Sequence, residues 1–280
     1  MIKKIITSLL LILCFSNNSF SKSPPPGTGT ASVPANILIM LDNSGSMGWD
    51  IDGSIINASS SKIALAADVA VDSSGNLYAL EVYTRKIKVF NSSGTYQKNK
   101  DIGGGYGYGC NQWIYAYDIA IHNDTIYVLD YYGRRIITLS LTGQCLKQKT
   151  INYYWTKGLA VSDQYIYVGY GMGGGVAMYD RATLNHVRVQ YNYTEFYRIY
   201  GLDVNDAGTK LVTANYTRHK VCVHTISGSS LGSCTKVGVS SQGTGNGYFY
   251  YPSDAVFDSS GNVFVTELYG HRIQKFDTSY

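Results

Sequence analysis

The chain has 280 residues, 45% of them hydrophobic, 13% aromatic and only 15% charged, with a formal net charge of +4. That apolar content in that length buries one large core or two modest ones, which excludes a disordered chain. With no basic stripe and near neutrality, nucleic acid is not an expected partner.

The chain opens with MIKKIITSLLLILCFSNNSFS, in which Lys3 and Lys4 precede an apolar run from Ile5 to Phe15 and small residues fall at Ser19 and Ser21. This is the build of a secretory signal peptide cleaved after Ser21, with an apolar run too short to span a bilayer. Residues 1–21 are therefore expected to direct export, leaving a mature chain with no membrane span that is secreted, periplasmic or on the cell surface. Residues 22–34 form a linker rich in Pro, Gly and Ser.

Residues 35–62 carry one metal-like pattern. The apolar run Ile37 to Leu41 reads as a buried strand of the parallel-sheet kind, and it delivers Asp42, Ser44 and Ser46 onto the following loop. One carboxylate and two hydroxyls at alternate positions are hard oxygen ligands suited to Mg or Ca. The stretch DNSGSM resembles the first element of a von Willebrand factor A domain, whose metal-ion-dependent adhesion site begins Asp-x-Ser-x-Ser. The family completes that site with a threonine and an aspartate from later loops. Here SSKIALAA resembles the start of the family's first helix but runs directly into the next region, so the site is expected to be partial.

From residue 63 to 280 one pattern is written five times. Its clearest copies are DVAVDSSGNLYALEVYTRKIKVFNSSG from Asp68 and SDAVFDSSGNVFVTELYGHRIQKFDTS from Ser253, with weaker versions from Asp118, Gly158 and Gly201. Short strands repeating every 40 to 50 residues or so are the signature of a β-propeller. In the first copy Val69 and Val71 lie on one strand, DSSGN is a turn, Leu77 to Leu80 make a second strand, Ile87 to Phe90 a third, and a polar fourth is expected over about Thr95 to Lys100. The expected fold is all-β, with four-stranded antiparallel blades. The fifth copy stops at its third strand, near Phe276, and an upstream segment such as Ser54 to Asn57 is a candidate for its outer strand.

The order apolar-Ala-Val-Asp, Gly-Asn, apolar-Tyr-Val, acidic residue, Arg-Ile, Phe resembles the NHL repeat, whose propellers are most often six-bladed; five blades are recognisable here. The resemblance implies structural pairs of the acidic residue with the arginine: Glu81 with Arg85, Asp130 with Arg134 or Arg135, and Glu267 with Arg272. In the third copy Gly169 and Gly175 are read as standing where the acid and the arginine would be. The pairing of an A-domain start with a propeller resembles PilY-type pilus-tip adhesins and implies a pilus or surface assembly.

Four cysteines follow the leader. Export makes disulfides the expectation, with Cys222 and Cys234 preferred as a pair because they flank a turn at SGSSLG, and Cys110 and Cys145 left to each other. Most of the 26 tyrosines fall in two kinds of loop, those leading into the inner strand and those joining the second and third strands, which share one face of a propeller. Tyr83, Tyr131, Tyr132, Tyr170, Tyr216 and Tyr269 of the second kind, with Trp155, are the candidate binding residues. Aromatic rings with polar tips suit protein or carbohydrate ligands. An adhesion or binding module is the expected function. The alternative is a propeller hydrolase or lyase with a channel metal, for which Asp68, Asp118, Asp203, Asp254 and His122 are the ligand candidates. No nucleophile triad or phosphate loop is present in the sequence, and no catalytic residue is assigned.

Overall fold

A computed structural model describes residues 66–280 and the backbone of Lys4–Ile5. The leader's side chains, the linker, the segment carrying Asp42, Ser44 and Ser46, and Ser54 to Asn57 lie outside the described residues. Five antiparallel blades are arranged in a ring as a β-propeller. Blade 1 runs through Ala66–Val71, Leu77–Glu81, Lys86–Phe90 and Ile102–Gly103. Blade 2 is Ala116–His122, Thr125–Asp130, Arg135–Ser140 and Cys145–Thr150. Blade 3 is Thr156–Val161, Tyr165–Tyr170, Gly175–Asp180 and His186–Tyr191. Blade 4 is Ile199–Val204, Lys210–Asn215, Lys220–Ser227 and Thr235–Lys236, with a short hairpin through Ser230–Leu231. Blade 5 has three described strands, Pro252–Phe257, Val263–Glu267 and Arg272–Phe276. Lys4–Ile5 pairs with the inner strand of blade 1, opposite Ala70 and Val69.

The core lies between blades. In blade 2, Ile126, Val128, Ile137 and Leu139 pack toward blade 1, while the alternating Tyr127, Leu129 and Ile136 pack toward blade 3. Period-two alternation thus separates two buried faces here, since neighbouring blades cover both sides of the sheet. Each fully buried aliphatic side chain in these layers contributes about 1.5–3 kcal/mol relative to exposure. The outer strand of blade 2 is exposed along its length, which is why its sequence, CLKQKT, is polar.

Side chains fix the turns and the ring. Asp72 accepts from the backbone N–H of Ser74 (2.9 Å) and Asn76 (2.8 Å), and Asp258 repeats this with Ser260 and Asn262 (both 2.9 Å), so the two DSSGN sequences fold alike. Gly75 and Gly261 take φ of 80° and 82° there, a conformation that favours glycine. Between blades, Asp68 accepts from the N–H of Ile119 (3.0 Å), Asp118 from Leu159 (2.7 Å) and Asp203 from Phe257 (3.0 Å).

Blade 1 corrects one expectation. Thr95 to Lys100 is not its fourth strand: Asn91 holds a turn by accepting from the N–H of Ser93 and Thr95, and Lys98–Lys100 is a 3-10 turn. The outer strand falls instead at Ile102, which has an apolar side chain to bury and pairs with Ile87. Both disulfides form as paired in the sequence reading, Cys110 with Cys145 and Cys222 with Cys234.

Candidate ligand-binding face

Every inner strand carries a register shift at its start, between Ala66 and Asp68, Ala116 and Asp118, Thr156 and Gly158, Ile199 and Gly201, and Pro252 and Asp254. An inserted residue of this kind leaves the ladder and re-aims its side chain. The five bulge residues, Ala67, Tyr117, Lys157, Tyr200 and Ser253, all line one central cavity of about 150 Å³ at the mouth of the channel. Asp68, Asp118, Asp254, Tyr216 and Leu268 complete its wall. The repeat thus places five different side chains at one equivalent point.

Lys157 is the cation of that cavity. Its ammonium donates to the Tyr117 hydroxyl at 3.2 Å and lies 3.9 Å from the ring centre of Tyr200 and 4.6 Å from that of Tyr117. Burial, with Arg198 nearby, brings its pKa down from 10.5 to about 8. Around it the rings are packed on one another: Tyr200 stacks on Tyr216 at 4.2 Å and 9°, and Tyr216 meets Tyr251, which meets Tyr269 at 4.9 Å. On the blade 2 side, Tyr131 touches Tyr115, Tyr117, Tyr132 and Trp155. Burial, with Tyr132 and Tyr200 nearby, pushes the Tyr131 hydroxyl up to about 12.

The loop tyrosines divide in two. Tyr83 (69% exposed), Tyr132 (61%), Tyr269 (53%) and Trp155 (53%) stand out from the face. Tyr131 and Tyr170 are buried, and Tyr216 is half-buried in its stack. The expectation that Tyr131, Tyr132, Tyr216 and Tyr269 recur at one exposed loop position is corrected by strand pairing. Tyr131 and Tyr216 occupy the first position after the second strand, pointing inward, whereas Tyr83, Tyr132 and Tyr269 occupy the next. Tyr170 is the last residue of its strand, opposite Thr156, and its ring rests on Tyr153 at 4.3 Å.

That same pairing corrects the acidic position. Glu81, Asp130, Tyr170, Asn215 and Glu267 are equivalent, so Tyr170, not Gly169, replaces the acid in blade 3. Asp130 accepts from the N–H of Ile114 (3.2 Å) and Tyr115 (3.0 Å) and pairs with Arg135 at 3.1 Å. Arg135 in turn donates to the carbonyls of Gly107 (2.9 Å), Tyr108 (2.5 Å) and Gln112 (2.5 Å), so the pair clamps the loop leading into blade 2. Glu267 and Arg272, 2.6 Å apart, hold Tyr250 and the carbonyls of Thr244, Gly245 and Tyr248 in the same way. In blade 1 the partner of Glu81 is Lys88, at 3.0 Å, with Thr84. Arg85 points elsewhere, donating to the carbonyls of Ile114 and Tyr83. These acids are structural, as the repeat resemblance implied.

Asp68, Asp118 and Asp203 are engaged in joining blades, and Asp203 belongs to a separate, much smaller cavity with His122. His122 itself bonds Asp163 across blades 2 and 3 at 2.7 Å. Among the described residues, no three His, Cys, Asp or Glu side chains converge as metal ligands would.

Comparison with known proteins agrees with this architecture. The NHL repeat matches residues 249–276. No curated relative matches the chain. Solved structures of similar fold include a virginiamycin B lyase from Staphylococcus aureus (14% identity, TM-score 0.53, covering 76% of this chain and 69% of that one). A streptogramin B lyase (11%, TM-score 0.55, 75% and 65%) and the Kuenenia stuttgartiensis hydrazine synthase (12%, TM-score 0.54, 75% and 76%) are similar to the same extent. At these identities the likeness is one of fold, on which unrelated functions are built.

Proposed function

We propose that this chain is a binding module of an exported protein, presenting the tyrosine-rich face of its propeller to a protein or carbohydrate ligand. One observation carries the reading: Tyr83, Tyr132, Trp155 and Tyr269 are each more than half exposed on a face whose underlying rings are already packed. Rings held by neighbours lose little freedom on binding, and a large amphipathic ring supplies contact area with a hydrogen-bonding tip. Two disulfides suit an oxidising compartment. An adhesive role on a pilus or cell-surface assembly, with the Asp42, Ser44 and Ser46 segment contributing a Mg or Ca site, is part of the same reading. The channel-metal hydrolase or lyase has no converging ligand set among the described residues to support it.

The test is a triple variant, Tyr83→Ala with Tyr132→Ala and Tyr269→Ala, compared with the parent on glycan- and protein-coated surfaces. Its circular dichroism and melting temperature should match the parent's, because all three side chains are exposed. Loss of surface binding is the expected result. Undiminished binding by a folded triple variant overturns the proposal.

A further inference from the structure

Among the described residues, the buried layers of the ring have two walls everywhere but at one place. Blades 1 and 2 share a layer, as do blades 2 and 3, blades 3 and 4, and blades 4 and 5. The remaining layer, formed by Ala66, Val69, Leu77, Ala79 and Phe90, is drawn from blade 1 alone, on the face turned away from blade 2. It takes no described residue from blade 5, although both blades border the channel mouth through Asp68 and Asp254.

Blade 5 shows the matching deficit. Strand pairing makes Tyr78, Tyr127, Tyr167, Val212 and Phe264 equivalent, each on the face turned toward the next blade. The first four are buried in the layer shared with that blade, whereas Phe264 is half-buried and belongs to none of the layers. On the third strand Ile87, Ile136, Val176 and Val221 are fully buried, but their equivalent Ile273 is again half-buried. Lys275 lies over the Phe264 ring at 5.1 Å, on the same face. An apolar front on blade 5 and an apolar rear on blade 1 therefore bound one slot without meeting.

We infer that residues 22–65 of this chain occupy that slot, with one side against Phe264 and Ile273 and the other against Val69, Leu77 and Phe90. The segment ends where the slot lies, because residue 65 is joined to Ala66, which opens the inner strand of blade 1 and belongs to the one-walled layer. Its length suffices: inner strands start 40 to 53 residues apart, and removal of the leader leaves 44 residues ahead of blade 1. Its sequence carries short apolar runs, Ile37 to Leu41, Ile55 to Ile56 and Ile63 to Leu65, parted by the turn-forming stretches DNSGS and NASSS. Val69, Ala79 and Phe90 are fully buried, which a sheet face attains only beneath a covering layer. Asp42, Ser44 and Ser46 fall in a connection and not in a run, so this packing and their ion site do not compete. The walls are sheet faces apart from the exposed tyrosine rim, and the inference stands independently of the ligand-binding reading.

Hydrogen exchange read by mass spectrometry on the mature chain, residues 22–280, tests this. Amides of residues 36–65 should exchange about a hundredfold or more slowly than in the free peptide. Phe264→Asp places a charge in the front wall, where burial without a partner is costly, and should speed exchange in 36–65 about tenfold or more while blades 2 and 3 keep the parent's rates. Should that variant fail to fold, Phe264→Ala, which only removes the ring, is read in the same way. Exchange of 36–65 at the free-peptide rate overturns the inference. So does protection of 36–65 that is unchanged in a folded Phe264 variant, because the segment is then docked elsewhere. A dimer in which the strands of blades 1 and 5 gain protection with concentration while 36–65 does not puts a second copy in the slot, and overturns the assignment as well.

Discussion

The carboxylate of Asp130 and the guanidinium of Arg135 meet at 3.1 Å inside the fold, and between them they grip the loop leading into blade 2 from both sides. Removing one member leaves the other charge buried and uncompensated, which costs about 3–5 kcal/mol. Asp130→Ala should therefore lower the denaturant midpoint strongly and expose residues 104–115 to proteolysis. Glu267→Ala should cost less, since the charge it leaves is that of Arg272, whose side chain is 24% exposed and screened by solvent. Equal midpoints for Asp130→Ala and the parent would remove the clamp from the account.

Lys157 gives the fold a stability that rises with pH on the alkaline side. Its folded pKa, about 8, lies below the unfolded 10.5, so between these values the unfolded chain holds the proton that the folded one has released. Unfolding free energy should climb across that window. In Lys157→Met the climb should flatten, and the variant should be the more stable protein at pH 7. NMR of reductively methylated protein, which reports each lysine's titration, should show one dimethylamine near pH 8. A Lys157 resonance, assigned by its loss in Lys157→Met, that titrates near 10.5 would refute the burial argument.

His224 works at the acid end. Its Nδ1 faces the Gly232 carbonyl at 2.9 Å and its Nε2 the Thr213 hydroxyl at 3.3 Å, and the ring is fully buried against Phe196. Burial lowers its pKa below 6.5. As pH drops through 6.5 the unfolded chain gains a proton that the folded ring resists, so stability falls with acid. In His224→Gln the urea midpoint should vary less between pH 7 and pH 5 than in the parent, whatever the variant's absolute stability.

The disulfides close loops of different length, with separations of 35 residues for Cys110–Cys145 and 12 for Cys222–Cys234. Loop-closure entropy assigns about 4 kcal/mol to the first and about 3 kcal/mol to the second. Cys145 is exposed whereas Cys222 is fully buried, so mild reductant should open the first bond before the second. Mass spectrometry of alkylated protein taken through a reductant series gives the order directly.

The ring and its blades were legible because turn chemistry and period-two alternation recur at fixed spacing, and Asp72 and Asp258 show why the same five letters make the same turn. Cys222–Cys234 was legible from its place around a turn, and Cys110–Cys145 as the two cysteines that remained. The channel mouth was not. A bulge inserts one residue into an alternating pattern, so counting in twos assigns the residues before it to the wrong side, and Lys157 drew no notice in a run reading TKGLAV. Aligning the copies on Asp68, Asp118 and Asp254 carries the signal that was missed: one position earlier stand Ala, Tyr, Lys, Tyr and Ser. A slip of one residue likewise put Gly169 where Tyr170 belongs, in a stretch, VGYG, with no charged residue to set the register.

The inner-strand bulge also separates two demands on the sequence. Residues that stay in the ladder must satisfy a packed layer on either side, and few side chains fit. Outside blade 1, where Ala67 joins the buried core, the extra residue faces the cavity rather than a layer, and it ranges from the hydroxyl of Ser253 to the ammonium of Lys157. A propeller built this way can alter what it recognises by single substitutions at Tyr117, Lys157, Tyr200 and Ser253, each at little cost to its fold.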